Sequence, residues 1–164
     1  MILDLKKVFL VENECLTVQT EVDMGEDQQE MGFQLPVKAD IRVVNRAGMV
    51  ELFADVVFSY RFTCDRCANP TERSYSFSFR HILVAGLSED SSDDYIEAPD
   101  YKLDTDALLR DDILLELPSK FLCKESCKGL CPKCGKNLNE GSCSCQRQEA
   151  DPRLAVLRHL LSEE

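Results

Sequence analysis

Residues 37–63, VKADIRVVNRAGMVELFADVVFSYRFT, alternate apolar and polar side chains on both sides of a short turn. Apolar residues fall on every second position from Val37 to Val43, and again from Leu52 to Phe62. A period of two is that of a half-buried β-strand, and the Asn-Arg-Ala-Gly sequence between the two runs suits a hairpin loop. This segment therefore predicts two antiparallel strands.

The same alternation extends the predicted sheet in both directions. After a break at Asn69-Pro70, Tyr75, Phe77 and Phe79 alternate with serines, and before the hairpin residues 16–22 form a further strand candidate. Sequential strands joined by short loops favour an antiparallel meander. We predict that residues 1–87 form this β domain.

Two helices are predicted in the C-terminal half. Asp104 or Thr105 caps the first, over residues 105–118, and Pro118 ends its apolar stripe. Asp151-Pro152 begins the second, over residues 151–162, because proline is favoured at the first helical position. The leucine face of this second helix docks onto the sheet or the cysteine-rich segment, or it binds a partner.

The net charge of −11 is unevenly distributed along the chain. Residues 88–116 contain eleven acidic and two basic side chains, whereas residues 120–136 contain five lysines and one glutamate. Residues 88–104 are acidic and aperiodic, so we predict a loop there, either a solvated linker or an acidic surface for a basic partner. The chain shows no signal peptide and no apolar run of membrane-spanning length, which predicts a cytoplasmic protein with no membrane partner.

Nine cysteines in a reducing compartment indicate metal binding or redox chemistry rather than disulfides. Cys15 stands apart and is interpreted as a small apolar residue in a strand. Zinc favours four thiolates in a tetrahedron, and a Cys-Pro-Lys-Cys-Gly turn presents two of them to one ion. The first predicted site consists of Cys131, Cys134, Cys143 and Cys145, within a zinc knuckle over residues 119–146. The predicted fold class is therefore α+β: mainly an antiparallel β-sheet meander, with two short helices and a small C-terminal zinc knuckle.

Four further cysteines form a second candidate zinc site. Cys64 and Cys67 follow a strand at a hairpin tip, and Cys123 and Cys127 precede the knuckle. Such a site would clip the C-terminal region to the sheet. Other groupings of the eight cysteines stay open, including a C-terminal site that uses Cys123 or Cys127 and no ligation by the first pair.

Alternative chemistries have weaker support in the sequence. An iron–sulfur cluster also takes four thiolates, but the proline-containing knuckle is more typical of zinc. A redox Cys-x-x-Cys pair normally begins a helix, whereas a strand follows Cys67. His81 continues the apolar face of its strand, and His159 lies in the last predicted helix. No nucleophile, base and orienting group occur together, so we predict no enzyme and no small-molecule substrate.

Several motifs together resemble the YceD family of large ribosomal RNA subunit accumulation proteins. They are Cys64-Asp65-Arg66-Cys67, the run from Cys123 to Gly135, Asn137-Leu138-Asn139, Cys143-Ser144-Cys145 and Asp151-Pro152-Arg153-Leu154. The resemblance covers the chain from about Phe53 onward. It implies a cytoplasmic bacterial protein, not an enzyme, that is needed for normal production or maturation of large-subunit (23S) ribosomal RNA. Some members lack the C-terminal cysteines and keep the first pair.

Two binding modes remain open at the level of sequence. A surface of Lys124, Lys128, Lys133 and Lys136, together with Asp65 and Arg66 at the hairpin tip, is the candidate contact for ribosomal RNA. The acidic segment, residues 88–116, is the slightly favoured contact, for a basic ribosomal protein or assembly factor, because it carries most of the net negative charge. A zinc-stabilised adaptor unrelated to ribosomes and a thiol redox protein are the other functional hypotheses.

Overall fold

The computed structural model describes residues 1–25, 31–86 and 95–145. Nearly half of the described chain is β-structure, and two α-helices and a cysteine-rich C-terminal part accompany it. In chain order the elements are β1 (Ile2–Asp4), α1 (Lys6–Leu10), β2 (Cys15–Glu21), β3 (Phe33–Arg46), β4 (Met49–Thr63), β5 (Pro70–Val84), β6 (Tyr95–Glu97), a 3₁₀ helix (Pro99–Tyr101), β7 (Lys102–Asp104) and α2 (Thr105–Glu116).

The main sheet has five strands in the order β2-β3-β4-β5-β6. Strands β2 to β5 form the expected antiparallel meander. The prediction of a mainly antiparallel meander needs a correction at one edge, because β6 pairs with β5 in parallel, from Ile82↔Tyr95 to Val84↔Glu97. The sheet is therefore mixed, and β1 and β7 form a separate antiparallel pair.

One face of the sheet is buried, as the alternation in the sequence requires. The pairs Ala39↔Val56, Ile41↔Ala54 and Val43↔Leu52 place small and branched side chains side by side on that face. Residues from β1, α1, β7 and α2 complete the same core, among them Leu3, Val8, Leu103, Leu109 and Ile113. The opposite face of the sheet is mainly polar.

The segment predicted as an acidic loop contains regular structure where it is described. Residues 95–97 form β6, and residues 99–104 form the 3₁₀ helix and β7. Ala98 and Leu103 are buried, and the Ala98 amide donates to the Val84 carbonyl at 2.8 Å. These two apolar residues hold the segment against the core, and the surrounding acidic side chains hide that signal in the sequence.

The first predicted helix agrees closely with α2. Its N-cap is Asp104, whose side chain accepts a hydrogen bond from the Asp106 amide at 3.1 Å, and the helix ends at Glu116, before Pro118. The short helix α1 was not predicted, because only Val8 within it is buried. The second predicted helix, over residues 151–162, lies outside the described residues.

Two contacts fix α2 and the cysteine-rich part relative to the sheet. His81 Nε2 on β5 lies 2.8 Å from Asp112 Oδ2 on α2, and the ring of Phe121 packs against Tyr60 and Phe62 on β4, with centroids 5.2 and 5.0 Å away. The cysteine-rich part, residues 119–145, is therefore attached to the sheet where Phe121 packs against the aromatic side chains of β4. None of the described helices has both the length and the apolar character needed to cross a bilayer.

Candidate metal centres

The tip of the β4–β5 hairpin presents the first pair of cysteines. Between the strands the chain makes a tight turn in which the Ala68 amide donates to the Cys64 carbonyl at 2.8 Å and the Cys64 amide donates to the Asn69 carbonyl at 3.0 Å. Ala68 takes a positive φ of 55° to complete this turn. Cys64 and Cys67 are both buried at the tip. A local turn thus aims two thiols in the same direction without any helix.

The side chains beside these cysteines hold the segment that carries the second pair. Asp65 and Phe121 exchange two hydrogen bonds: the Phe121 amide donates to Asp65 Oδ2 at 2.7 Å, and the Asp65 amide donates to the Phe121 carbonyl at 2.9 Å. Arg66 donates to the Cys127 carbonyl at 2.9 Å, and Arg73 donates to the Leu122 carbonyl at 3.2 Å. Residues 121–127 are therefore bound to the hairpin tip through their backbone.

The result is a cluster of four sulfurs, which we call the hairpin cluster: Cys64, Cys67, Cys123 and Cys127. All four lie within 4.8 Å of one another, with 3.8 Å between Cys64 and Cys127 and 3.6 Å between Cys67 and Cys123. A tetrahedral ion with ~2.3 Å bonds to sulfur requires sulfur–sulfur edges of about 3.8 Å, whereas a disulfide requires about 2.05 Å. The hairpin cluster fits one tetrahedral metal ion.

The knuckle cluster is formed by Cys131, Cys134, Cys143 and Cys145, whose sulfurs also lie within 4.8 Å of one another. The turn between its first two cysteines is closed by the Gly135 amide, which donates to the Cys131 carbonyl at 2.9 Å. Gly135 has a φ of 71°, a conformation that glycine adopts without strain. The structure thus brings together the same two groups of four that the sequence analysis proposed, and each group has the donors to hold one metal ion.

Backbone amides stabilise one thiolate in each cluster. The amide of Cys123 is the main group that lowers the pKa of Cys64 to about 6, and the amides of Cys134 and Lys133 lower the pKa of Cys131 to about 6. Burial raises the pKa of Cys123 to about 12, and the hydrogen bond with Cys134 raises the pKa of Cys145 to about 12. A divalent cation must displace protons as it binds, and it offsets the charge of the thiolates that remain.

Asn139 connects the two clusters and was missed as a site residue. Its Nδ2 lies 3.4 Å from Cys127 Sγ and donates to it, while its Oδ1 accepts from the Lys128 amide at 3.0 Å. Burial raises the pKa of Cys127, but the Asn139 amide and other donors lower it overall. The sequence signal was the Asn137-Leu138-Asn139 motif, which carries no metal ligand of its own. Asn139 therefore belongs to the knuckle loop and orients a ligand of the other cluster.

A family model described as "Large ribosomal RNA subunit accumulation protein YceD" matches residues 53–161, from β4 through both clusters. The chain belongs to the YceD family. The resemblance drawn from the sequence motifs is thereby confirmed, including its start near Phe53. No solved structure matches the chain significantly.

Several proteins are similar to this chain at low identity. One is the Arabidopsis thaliana protein named large ribosomal RNA subunit accumulation protein YCED homolog 1, chloroplastic, which is 27% identical over 155 residues, covering 76% of this chain and 48% of the relative. The Zea mays protein of the same name is 27% identical over 143 residues, covering 68% and 49%. YlbN of Bacillus subtilis is 28% identical over 103 residues, covering 62% and 60%. The chain thus spans about half the length of the plant relatives.

The residues predicted as a binding surface fall into two groups in this YceD structure. Lys124, Lys128 and Lys133 are exposed around the clusters, and Lys136 is exposed while donating to the Ser142 carbonyl at 2.8 Å. Asp65 and Arg66 are exposed too, but their side chains bind backbone groups of residues 121–127. Asp65 and Arg66 therefore attach residues 121–127 to the hairpin tip. The lysines remain the candidate contact surface.

The contact between Asn139 and Cys127 leads to a prediction about metal affinity. Asn139→Ala removes a hydrogen bond to a ligand sulfur, so the hairpin cluster should bind metal about tenfold more weakly. Cadmium NMR on the doubly loaded protein, titrated with a chelator, would follow each four-sulfur site separately. In the matched variant Asn69→Ala both sites should keep their affinity, because the hydrogen bonds of Asn69 at the tip all come from its backbone, which the substitution retains. Equal weakening in both variants would contradict the orienting role of Asn139.

Proposed function

We propose that this chain is a non-enzymatic cytoplasmic factor that supports accumulation of large-subunit (23S) ribosomal RNA. In this proposal zinc fills the hairpin and knuckle clusters, and the exposed lysines around them contact ribosomal RNA. Membership of the YceD family carries the ribosomal part of the proposal. The two four-sulfur clusters beneath a lysine-bearing surface carry the binding part.

Zinc suits both clusters because the donors are four sulfurs at tetrahedral spacing and no histidine or carboxylate accompanies them among the described residues. When bound, zinc supplies structural cross-linking, since residues 119–145 contain too little apolar surface for a core of their own. The sulfur–sulfur distances of 3.6 and 3.8 Å also favour metal binding over a disulfide redox pair. The chemistry supports a structural cofactor.

The distribution of charge favours RNA over a basic protein as the partner. Several acidic side chains between residues 97 and 116 are occupied within the chain: Asp104 and Asp106 lie 3.5 and 2.5 Å from the N-terminal ammonium, and Asp112 binds His81. Lys124, Lys128 and Lys133, by contrast, are all exposed on one small segment. Since affinity for RNA is mostly electrostatic, this local positive surface is the better candidate contact, despite the net charge of −11. Binding of a ribosomal protein or assembly factor through the acidic segment is the second candidate, supported by the concentration of acidic residues there.

The triple variant Lys124→Gln, Lys128→Gln, Lys133→Gln tests the RNA interaction. Binding to a large-subunit ribosomal RNA fragment should weaken, and the slope of log affinity against log salt should flatten by about one unit for each phosphate that the variant no longer neutralises. Fluorescence anisotropy at several salt concentrations measures both quantities.

The matched control carries the same change of charge elsewhere: Lys6→Gln, Lys38→Gln, Lys102→Gln, all exposed and outside residues 119–145. This control should keep the slope of the unmodified protein. If the salt slope flattened equally in both variants, RNA binding would depend only on the net charge of the protein. Complementation of a deletion strain by the first variant, with normal large subunits, would exclude the lysine surface from the ribosomal role.

A further inference from the structure

Strand β5 leaves most of its outer edge open. Its inner edge pairs with β4 along nearly its entire length, from Thr63↔Pro70 to Val50↔Leu83. Its outer edge pairs with β6 only at residues 82–84. Within the part of the chain that the structure describes, no strand pairs with the outer edge over residues 71–81. Such an edge presents unpaired N–H and C=O groups, which are a template for another strand.

The open stretch, TERSYSFSFRH, lacks several of the features that usually prevent strand pairing, although it carries the charged residues Glu72, Arg73 and Arg80. It contains no lysine and no proline, and its pairing with β4 runs without a bulge. Eleven residues at ~3.4 Å each give an edge of about 37 Å. On one face Tyr75, Phe77 and Phe79 are half-buried, and on the other face the serines are exposed. An edge of this length and composition can form backbone hydrogen bonds with another strand.

The open stretch is complementary to itself in the antiparallel sense. Its midpoint is Ser76, and pairing two copies about that residue places Glu72 opposite Arg80 and Ser74 opposite Ser78. It also places Tyr75 opposite Phe77 in each copy, which is a favourable aromatic pair across strands. Side chains paired in this register share a face, because all pairs join residues of the same parity. Glu72 with Arg80, the serines, and Tyr75 with Phe77 therefore match in this two-fold register, whereas Arg73 lies opposite Phe79.

The ends of the open stretch agree with the same register. Pro70 has no N–H to donate to a ladder, so pairing ends naturally at Thr71. Beyond His81 the edge is occupied by β6. Thr71 and His81 are opposite each other when Ser76 lies on the two-fold axis, so each copy ends its ladder where the other does.

We propose that β5 pairs with β5 of a second copy of this chain, antiparallel about Ser76, to form a two-fold dimer with one continuous sheet. A two-fold interface uses the same surface in both copies and closes the assembly at two. This inference does not depend on the metal or on the RNA contact. It predicts a reversible dimer of the full chain.

Sedimentation equilibrium of the full metal-loaded chain over a wide concentration range tests the dimer and its register. Ser76→Lys places two like charges at the axis and should raise the dimer dissociation constant by about fivefold. Glu72→Arg and Arg80→Glu should each raise it by about tenfold, since each change affects two symmetry-related pairs. The double variant should recover most of the affinity, because it rebuilds the pair between copies with the charges exchanged.

Two controls make the result specific. Gln19→Lys puts the same charge on the exposed face of β2, at the opposite edge of the sheet, and should leave the dissociation constant unchanged. Glu72 also binds Arg61, and Arg80 also binds Glu51, within one chain. The double variant does not restore those contacts within one chain. Any recovery of dimer affinity in the double variant therefore comes from the charge pair between the two copies. A monomer at every concentration, an open series of larger oligomers, a dimer insensitive to Ser76→Lys, or a double variant no better than the single ones would each overturn the proposal.

Discussion

Cys67→Ser should release residues 119–130 from the sheet while the meander stays folded. Cys67 is buried at the hairpin tip and lies 3.6 Å from Cys123, so its loss removes one of the four ligands that join the two parts. What remains are hydrogen bonds from Asp65, Arg66 and Arg73 to the backbone of residues 121–127. The ring of Phe121 also stays packed against β4. We expect the free energy of opening of this segment to fall by more than about 3 kcal/mol, because loss of a metal site is among the mechanisms behind the largest single-substitution effects. Hydrogen exchange resolved by residue measures this loss.

Two further variants locate the effect. Cys15→Ser removes an exposed cysteine on β2 and should change nothing measurable. Cys134→Ser removes a ligand of the knuckle cluster and should open residues 131–145, with a smaller effect on residues 119–130 through Asn139. Loss of protection in β3, β4 and β5 after Cys67→Ser would show instead that the sheet and the cysteine-rich part unfold as one unit.

The metal-loaded protein should contain two equivalents of zinc, one for each cluster, and little iron. Removing the metal with a strong chelator should abolish protection over residues 119–145 and leave the core of the meander intact, because the latter has its own apolar cluster. Elemental analysis and hydrogen exchange before and after chelation provide the two measurements.

Thiol counting gives an independent check on the same prediction. In the loaded protein only Cys15 should react quickly with a thiol reagent, and the eight cysteines of the two clusters should react after chelation. The zinc assignment would be contradicted by less than half an equivalent of zinc after gentle purification. It would also be contradicted if the eight cluster thiols reacted without chelator.

The sequence predicted the features that depend on local periodicity and spacing. The alternation from Val37 to Phe62 identified β3 and β4, because each strand has one buried face. Asp104 identified the start of α2, since a carboxylate at that position can accept from the first amides of a helix. The Cys-Pro-Lys-Cys-Gly turn identified half of the knuckle cluster. Its geometry, like that of a helix cap, is determined within a few consecutive residues.

Features that depend on tertiary contact could not be settled from the sequence. Cys64 and Cys127 are 63 positions apart, so spacing alone leaves their grouping open. Helix α1 contains a single buried residue, and β6 and β7 have three residues each and lie among acidic side chains. None of these elements therefore shows a periodic pattern of apolar residues in the sequence. The contact of Asn139 with Cys127 likewise arises only when two separate loops meet.

The separation of the ligands in the hairpin cluster has a consequence for how the protein is made. A ribosome extends a chain by about 5–20 residues each second. Cys67 is complete 56 positions before Cys123, so the nascent β4–β5 hairpin holds two thiols without their partners for roughly 3–11 s. In the proposed metal-bound protein, two thiolates would hold an ion less firmly than four, so stable ion capture at the hairpin tip would wait until residues 123–127 have emerged. The order of translation thus makes attachment of the cysteine-rich part a late event in the biosynthesis of each molecule.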